Sequence, residues 1–227
     1  MADPAKLTIH AEFDRPTPED LAPFQTAPTG WVADAQGRRG ALHHRIRPII
    51  ETARFVGAAL TVQSRPVDNL APYAALKFAR PGDVLVVATD ACESAAVMGD
   101  ILIGMAKNAG IVAAVTDGLV RDVAGIREVG IPTFAAGLTP NSPLKDGPGS
   151  IGLPIALGGI TVNSGDIVVG DADGVVVVPR GEGTAVASAL AGIAAKEEAM
   201  ETAVADGTCY PAWLDAVLAS DDILYRR

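Results

Sequence analysis

At 227 residues and 49% hydrophobic, the chain can bury one sizeable core, and a single domain is the expectation. Its formal net charge of -9 argues against nucleic acid and anionic membrane surfaces as partners, because both reward clustered Lys and Arg. Its two cysteines, Cys92 and Cys209, are far apart and in no Cys-x-x-Cys spacing, which argues against a disulfide framework or a structural zinc site.

Met1 to Arg15 is polar, carries no clear period and reads as an N-terminal arm. It lacks the apolar stretch of a secretory signal, and no apolar run approaches the ~18 residues of a membrane span, so a cytoplasmic location without membrane contact is expected. From Pro18 to Ala41, helix-compatible pieces are interrupted by Pro23, Pro28 and glycines. Phe55 to Gln63 reads as a strand, and Asn69 to Ala79 as a helix ended by Pro81-Gly82. Asp83 to Ala88 is short, apolar and β-branched, which predicts a buried strand. A helix over Gly99 to Ala109 follows, with Gly110 as its stop. Ile111 to Val115 predicts a strand, Val123 to Val129 a short helix, and Ile131 to Ala135 another strand. This alternation predicts an α/β domain with parallel strand pairs. Leu153 to Val178 reads as a β-meander with tight turns at Gly158-Gly159, Asn163-Ser164-Gly165 and Asp171-Ala172-Asp173-Gly174. Glu182 to about Ala205 is Ala-rich and helical. The domain therefore runs over residues 16–206, and a tail, 207–227, with Pro211 and Trp213, reads as packed on a neighbouring subunit.

Several apparent motifs have simpler readings. Gly147-Pro148-Gly149-Ser150-Ile151-Gly152 matches G-x-G-x-x-G, but Pro148 and the β-type run after it fit a surface loop rather than a dinucleotide fingerprint. Gly170-Asp171-Ala172-Asp173-Gly174 lacks the later ligands of a calcium loop and reads as a hairpin turn. His10, His43 and His44 are the only histidines, and neighbouring histidines do not readily share a metal on a strand or a helix; a basic edge is the better reading of His43 to Arg47. Lys77 and Lys107 read as solvated, which weakens any imine mechanism.

What remains is Gly99-Asp100-Ile101-Leu102 and, downstream, Asp117-Gly118-Leu119-Val120-Arg121-Asp122. Both polar sets follow apolar strands, where ligands of α/β folds gather. Gly99 leaves a helix start open to a carboxylate. Two neighbouring aspartates would repel unless a cation lay between them. The plain alternative is that Arg121-Asp122 only caps a short helix.

At these residues, and at Arg80-Pro81-Gly82-Asp83-Val84 and Gly170-Asp171-x-Asp173-Gly174-Val175, the chain resembles the class II pyruvate aldolases. These act on 4-hydroxy-4-methyl-2-oxoglutarate and 4-carboxy-4-hydroxy-2-oxoadipate and are related in fold to the regulator of ribonuclease E activity. The resemblance spans roughly Thr26 to Gly207. It implies an α/β fold, a layered β/β/α swivelling-domain-like sandwich with a long C-terminal helix, assembled as a homotrimer or homohexamer. It implies that the amides of Gly99, Asp100, Ile101 and Leu102 hold a pyruvate carboxylate and that Arg121 contacts the 2-oxo oxygen. Asp122 would bind Mg²⁺ or Mn²⁺ directly, Asp100 through water, and Glu197 from an adjacent subunit through water. The reaction implied is cleavage of a 4-hydroxy-2-oxo acid to pyruvate through an enolate, with oxaloacetate decarboxylation as a side activity. An oxygen-rich, water-filled site suits Mg²⁺, and a fixed guanidinium suits a developing oxyanion. The chain departs from that pattern at Thr208 to Trp213 and at Leu138 to Gly149. A non-catalytic interaction protein of the ribonuclease-regulator type is the rival expectation. A methyltransferase is disfavoured by the lack of a glycine-rich strand–loop–helix.

Overall fold

The structure is a computed structural model and describes residues 5–51 and 54–226. In chain order the strands are β1 (Leu7–Ile9), β2 (Arg47–Pro48), β3 (Phe55–Ser64), β4 (Asp83–Ala88), β5 (Ala96–Met98), β6 (Ala113–Thr116) and β7 (Leu119–Val120). They continue as β8 (Thr133–Ala135), β9 (Gly137–Leu138), β10 (Gly149–Ile151), β11 (Ile155–Leu157), β12 (Ile160–Val162), β13 (Ile167–Asp171) and β14 (Gly174–Val178). The helices are α1 (Pro18–Leu21), α2 (Thr29–Ala35), α3 (Leu70–Ala75), α4 (Asp100–Asn108), α5 (Val123–Val129), α6 (Gly183–Ala205) and α7 (Trp213–Leu218).

A nine-stranded mixed sheet forms the centre, in the order β1-β10-β3-β4-β6-β8-β2, with the β13–β14 hairpin joined to β3. The strands β3, β4, β6 and β8 run parallel. β3 and β4 are apolar almost throughout because both of their faces are covered, and successive side chains point to opposite sides. Leu60, Val62, Leu85 and Val87 meet Ala71, Leu102, Ile103, Ala106 and Ile126 from α3, α4 and α5. Ala59, Val84, Val86 and Ala88 face Ile155, Leu157 and Val162 of the β11–β12 hairpin. A third cluster packs β13 and β14 against α2 and the first turns of α6 through Val32, Val186 and Leu190. The mixed α/β, layered architecture with a long C-terminal helix is thus the one expected.

Several elements differ from the sequence reading. Within the segment read as an arm, Leu7–Ile9 pairs in parallel with β10, and Arg15 donates to Asp83 at 2.7 Å. The Asp83 side chain is 1% exposed, so leaving either charge alone would cost several kcal/mol, about 3–5. The stretch read as a surface loop, Gly147 to Gly152, contains strand β10, paired antiparallel with β3. Its glycines are needed for close approach rather than for a nucleotide: a Cβ at Gly149 would sit 2.7 Å from Gln63 O. The Gly170-to-Gly174 run is the hairpin expected, and the Asp171 carboxylate accepts from Thr29 N at the start of α2 at 2.8 Å. Past Leu190 none of the described residues is buried, and Val204, Trp213, Leu224 and Tyr225 are exposed.

One buried carboxylate ties a loop to the sheet. Asp68 accepts from Leu70 N at 2.9 Å, Asp146 N at 2.7 Å and Gly147 N at 3.1 Å, with Arg65 at 3.6 Å. Leu144 N donates to Val67 O and Asn69 N to Leu144 O, completing the clip. Val67 has φ 58, a left-handed conformation that a β-branched residue adopts only when its surroundings enforce it. Burial alone would raise the Asp68 pKa, but the three amides and the Arg65 charge outweigh it, and the pKa is lowered. A depressed carboxyl stabilises the fold above its unfolded pKa, and that contribution is lost as pH falls through the folded one. Asp68→Asn, which sets an amide group among backbone donors, should cost about 3 kcal/mol at neutral pH. The difference from wild type in urea unfolding should shrink as pH is lowered below the ordinary carboxylate range; a constant difference would show that the charge is not what matters.

Candidate active site

The two polar sets are brought together by short strands that the sequence does not announce. The strand read at Ile111 to Val115 runs over Ala113–Thr116, and a turn at Asp117-Gly118 leads from it into β7, which Arg121 and Asp122 follow. The parallel strands β5, β7 and β9 form a separate three-stranded sheet. Within it β5 pairs with β7, placing Met98 opposite Val120, and Arg121 N donates to Met98 O at 3.1 Å. Helix α4 starts after β5 and α5 starts after β7, so the two helix starts lie side by side. Asp117 is an anchor here: buried, it accepts from Thr89 N at 2.7 Å and Ala91 N at 3.0 Å.

Gly99 is the N-cap of α4 and has no side chain to occupy the helix-start amides. A Cβ at this position would lie 2.7 Å from Asp122 Oδ2 and 3.3 Å from Arg121 Cγ, so the glycine lets α4 and the Arg121-Asp122 pair approach. Of the amides expected to receive a carboxylate, that of Ile101 already donates to Asp100 Oδ1 at 2.7 Å. The Ile101 side chain is exposed, and that of Leu102 is buried in the core. Gly125 in α5 plays a matching part, since a Cβ there would overlap the Asp100 carboxylate.

Asp122 occupies the N-cap position of α5 with φ 60 and ψ 44, yet its side chain makes no capping bond. It faces Arg121 instead, whose Nε lies 3.0 Å from Asp122 Oδ2; the two side chains are 35% and 41% exposed. Arg121 Nη1 also donates to Ser142 Oγ. The plain capping explanation of Arg121-Asp122 therefore does not account for the carboxylate.

Gly99, Asp100, Ile101, Leu102, Arg121 and Asp122 line one cleft. The same cleft is also lined by Asn69, Tyr73, Ser142 and Lys145, which sequence reasoning missed. Asn69 reads in sequence only as a helix start, and nothing local links it to Lys145. Glu197 stands on the exposed part of α6 and does not line this cleft within one chain. Among the described residues no three His, Cys, Asp or Glu side chains gather as a metal cage. The carboxylate oxygens of Asp100 and Asp122, both of which line the cleft, fit a hard divalent ion that keeps most of its waters. A larger cavity of about 400 Å³ lies elsewhere, by His43, Arg45, Asp90 and Asp117. Its polar groups are already engaged, Arg45 by Glu93 and Asp117 by Thr89 and Ala91.

A layered α/β sheet with two helix starts facing an Arg-Asp pair defines the class, and residues 29–177 match the RraA-like family model, described as Aldolase/RraA. The chain belongs to the RraA-like family. It is 39% identical over 186 residues to a protein of Halalkalibacterium halodurans named "Putative 4-hydroxy-4-methyl-2-oxoglutarate aldolase", covering 82% of this chain and 89% of that one. Among solved structures it is similar to an uncharacterized protein from Pseudomonas syringae pv. tomato, with TM-score 0.75 and 26% identity over 86% of this chain and 96% of that one. It is also similar to Streptomyces coelicolor RraAS2, titled an unusual member of the RNase ES inhibitor RraA protein family. That likeness has TM-score 0.73 and 29% identity over 83% of this chain and 99% of that one. No helix among the described residues is long and apolar enough to cross a membrane.

Proposed function

We propose that this chain is a divalent-metal-dependent carbon–carbon lyase that cleaves a 4-hydroxy-2-oxo acid to pyruvate. The observation that carries the reading is the single cleft in which the glycine-capped start of α4, the Arg121 guanidinium and an Asp122 carboxylate free of capping duty meet. The aldolase name of the 39% identical relative supports it.

The first four amides of a helix have no acceptor within it, so the start of α4 can hold the substrate's 1-carboxylate. With Ile101 N engaged by Asp100, the amides of Asp100 and Leu102 are the ones we assign to that task. Arg121 lies beside the 2-oxo oxygen and stabilises the charge that develops there as the C3–C4 bond breaks. The C4 hydroxyl gives its proton to a water in the cleft, C4–O becomes a carbonyl as C3–C4 cleaves with its electron pair entering the pyruvate enolate, and a proton returned from water to C3 gives pyruvate beside the C4 carbonyl fragment. Asp122 would hold Mg²⁺ or Mn²⁺, with Asp100 reaching it through water, and the ion would supply Lewis-acid withdrawal from the 2-oxo acid. Because oxaloacetate loses CO₂ to the same enolate, its decarboxylation is part of the proposal. We also assign the chain to a homotrimer or homohexamer in which Glu197 of one protomer serves the site of the next. The exposed apolar residues beyond Leu190 support this assembly.

The test is pyruvate release by EDTA-stripped protein, with and without added Mg²⁺, from 4-hydroxy-4-methyl-2-oxoglutarate and from oxaloacetate. Metal-restored release from both is expected. Release from neither above the metal-only rate would overturn the reading in favour of a non-catalytic regulator.

A further inference from the structure

Arg121 carries a long, rotamer-rich side chain that is 35% exposed, so packing alone does not fix its guanidinium. Two groups address it: Asp122 Oδ2 lies 3.0 Å from Nε, and Ser142 Oγ accepts from Nη1. Its Nη2 has no partner among the described residues. Ser142 is delivered by a segment tied to both strands that build the site. β9 pairs with β7, setting Leu138 opposite Val120, and Thr139 N donates to Val120 O at 3.0 Å. Asn141 O then accepts from Ala96 N at 3.0 Å, at the start of β5, and Asn141 Nδ2 donates to Ser94 O at 3.1 Å. Ser142 follows directly. It is exposed, so no burial requires a hydroxyl there, and among the described residues its side chain bonds to Arg121 alone.

We propose that Ser142 is a positioning residue whose Oγ holds the Arg121 guanidinium at the 2-oxo oxygen of the substrate; this rests on the lyase reading above. The two ties on the guanidinium differ in kind. On that reading the Asp122 carboxylate serves the metal ion, and it also offsets part of the positive charge beside it. A hydroxyl is neutral: it accepts from Nη1 and leaves the full charge for the developing oxyanion. Ser142 thus supplies position without neutralisation, and Nη2 stays open to the substrate. A charge already oriented needs no reorganisation as the enolate forms. The effect therefore falls on kcat, and on every substrate that passes through that enolate, whatever fragment it discards.

The experiment compares wild type with Ser142→Ala, Ser142→Thr, Arg121→Ala and the double variant Arg121→Ala/Ser142→Ala in Mg²⁺. The substrates are 4-hydroxy-4-methyl-2-oxoglutarate and oxaloacetate. Ser142→Ala is expected to lower kcat roughly tenfold on both, the scale of one hydrogen bond, with KM within about threefold. Ser142→Thr keeps the hydroxyl and should return most of the loss. In the Arg121→Ala background the serine substitution should change kcat by less than about twofold, because the group it acts through is gone. The melting temperature of Ser142→Ala should stay within about 2 °C of wild type, since the residue is exposed. A second readout needs no turnover. Phenylglyoxal should modify Arg121 about threefold faster or more in Ser142→Ala than in wild type, as followed by mass spectrometry of the Arg121 peptide. An unchanged kcat, a loss confined to KM or to the hydroxy acid, no recovery with threonine, losses that multiply in the double variant, or equal modification rates would each overturn the assignment. Wild-type protein inactive on both substrates would instead mark the failure of the lyase reading, and the modification rates would still decide whether Ser142 holds Arg121.

Discussion

Asp122→Asn is expected to abolish Mg²⁺-restored pyruvate release, lowering kcat/KM by about 10³ or more while the protein stays folded. Asparagine keeps the shape of the side chain and adopts the left-handed backbone at this position, φ 60, more readily than alanine. The loss of the ion pair with Arg121 is a small matter for stability, since both side chains are more than a third open to solvent and such pairs contribute about 0–1 kcal/mol. The loss of a full negative charge from the position proposed to hold the metal is a large matter for turnover, about 4 kcal/mol in the transition state. Steady-state kinetics across a Mg²⁺ titration, with thermal unfolding of the same samples, checks both halves. Undiminished activity at the same Mg²⁺ affinity would remove Asp122 from the metal site.

Arg121→Ala should lower kcat by about 10², equivalent to ~3 kcal/mol of transition-state stabilisation. The effect belongs in kcat because, in the proposed reaction, the charge that Arg121 meets is fully developed only in the enolate. Arg121→Lys should restore little. The guanidinium addresses Asp122 through Nε and Ser142 through Nη1 at once, and one ammonium cannot reproduce that fork. A change confined to KM would make Arg121 a residue that binds substrate without stabilising the reaction.

Much of this site can be read in the sequence, and the unread parts have definite causes. Val123–Val129 and Asp83–Ala88 fall on the residues expected, because a glycine stop and a short apolar, valine-rich run are local signals. Gly99, Asp100, Arg121 and Asp122 were expected to converge and do line one cleft. The strands that make them converge, Ala96–Met98 and Leu119–Val120, are too short to show a period. Strand Gly149–Ile151 is masked by the proline and glycines around it, which allow the close approach to β3. Asn69 and Lys145 become neighbours only through the Asp68 clip, a tertiary contact with no trace in local pattern. Glu197 was placed on the C-terminal helix as expected, but a single chain cannot bring it to the cleft.

The residues that line the cleft are held by two different means, and this separates what can vary from what cannot. Arg121 and Asp122 follow a strand of a parallel sheet and share a glycine-made gap with α4, so changes there disturb the whole centre. Ser142 and Lys145 ride on a peripheral loop fastened at Asp68. On the lyase reading proposed above, drift in this loop that spares Ser142, the partner of Arg121, would exchange the half of the substrate that is discarded while the half that becomes pyruvate is handled as before. A lineage built on this scaffold would then diversify its diet by rewriting one loop, with the proposed bond-breaking step inherited intact.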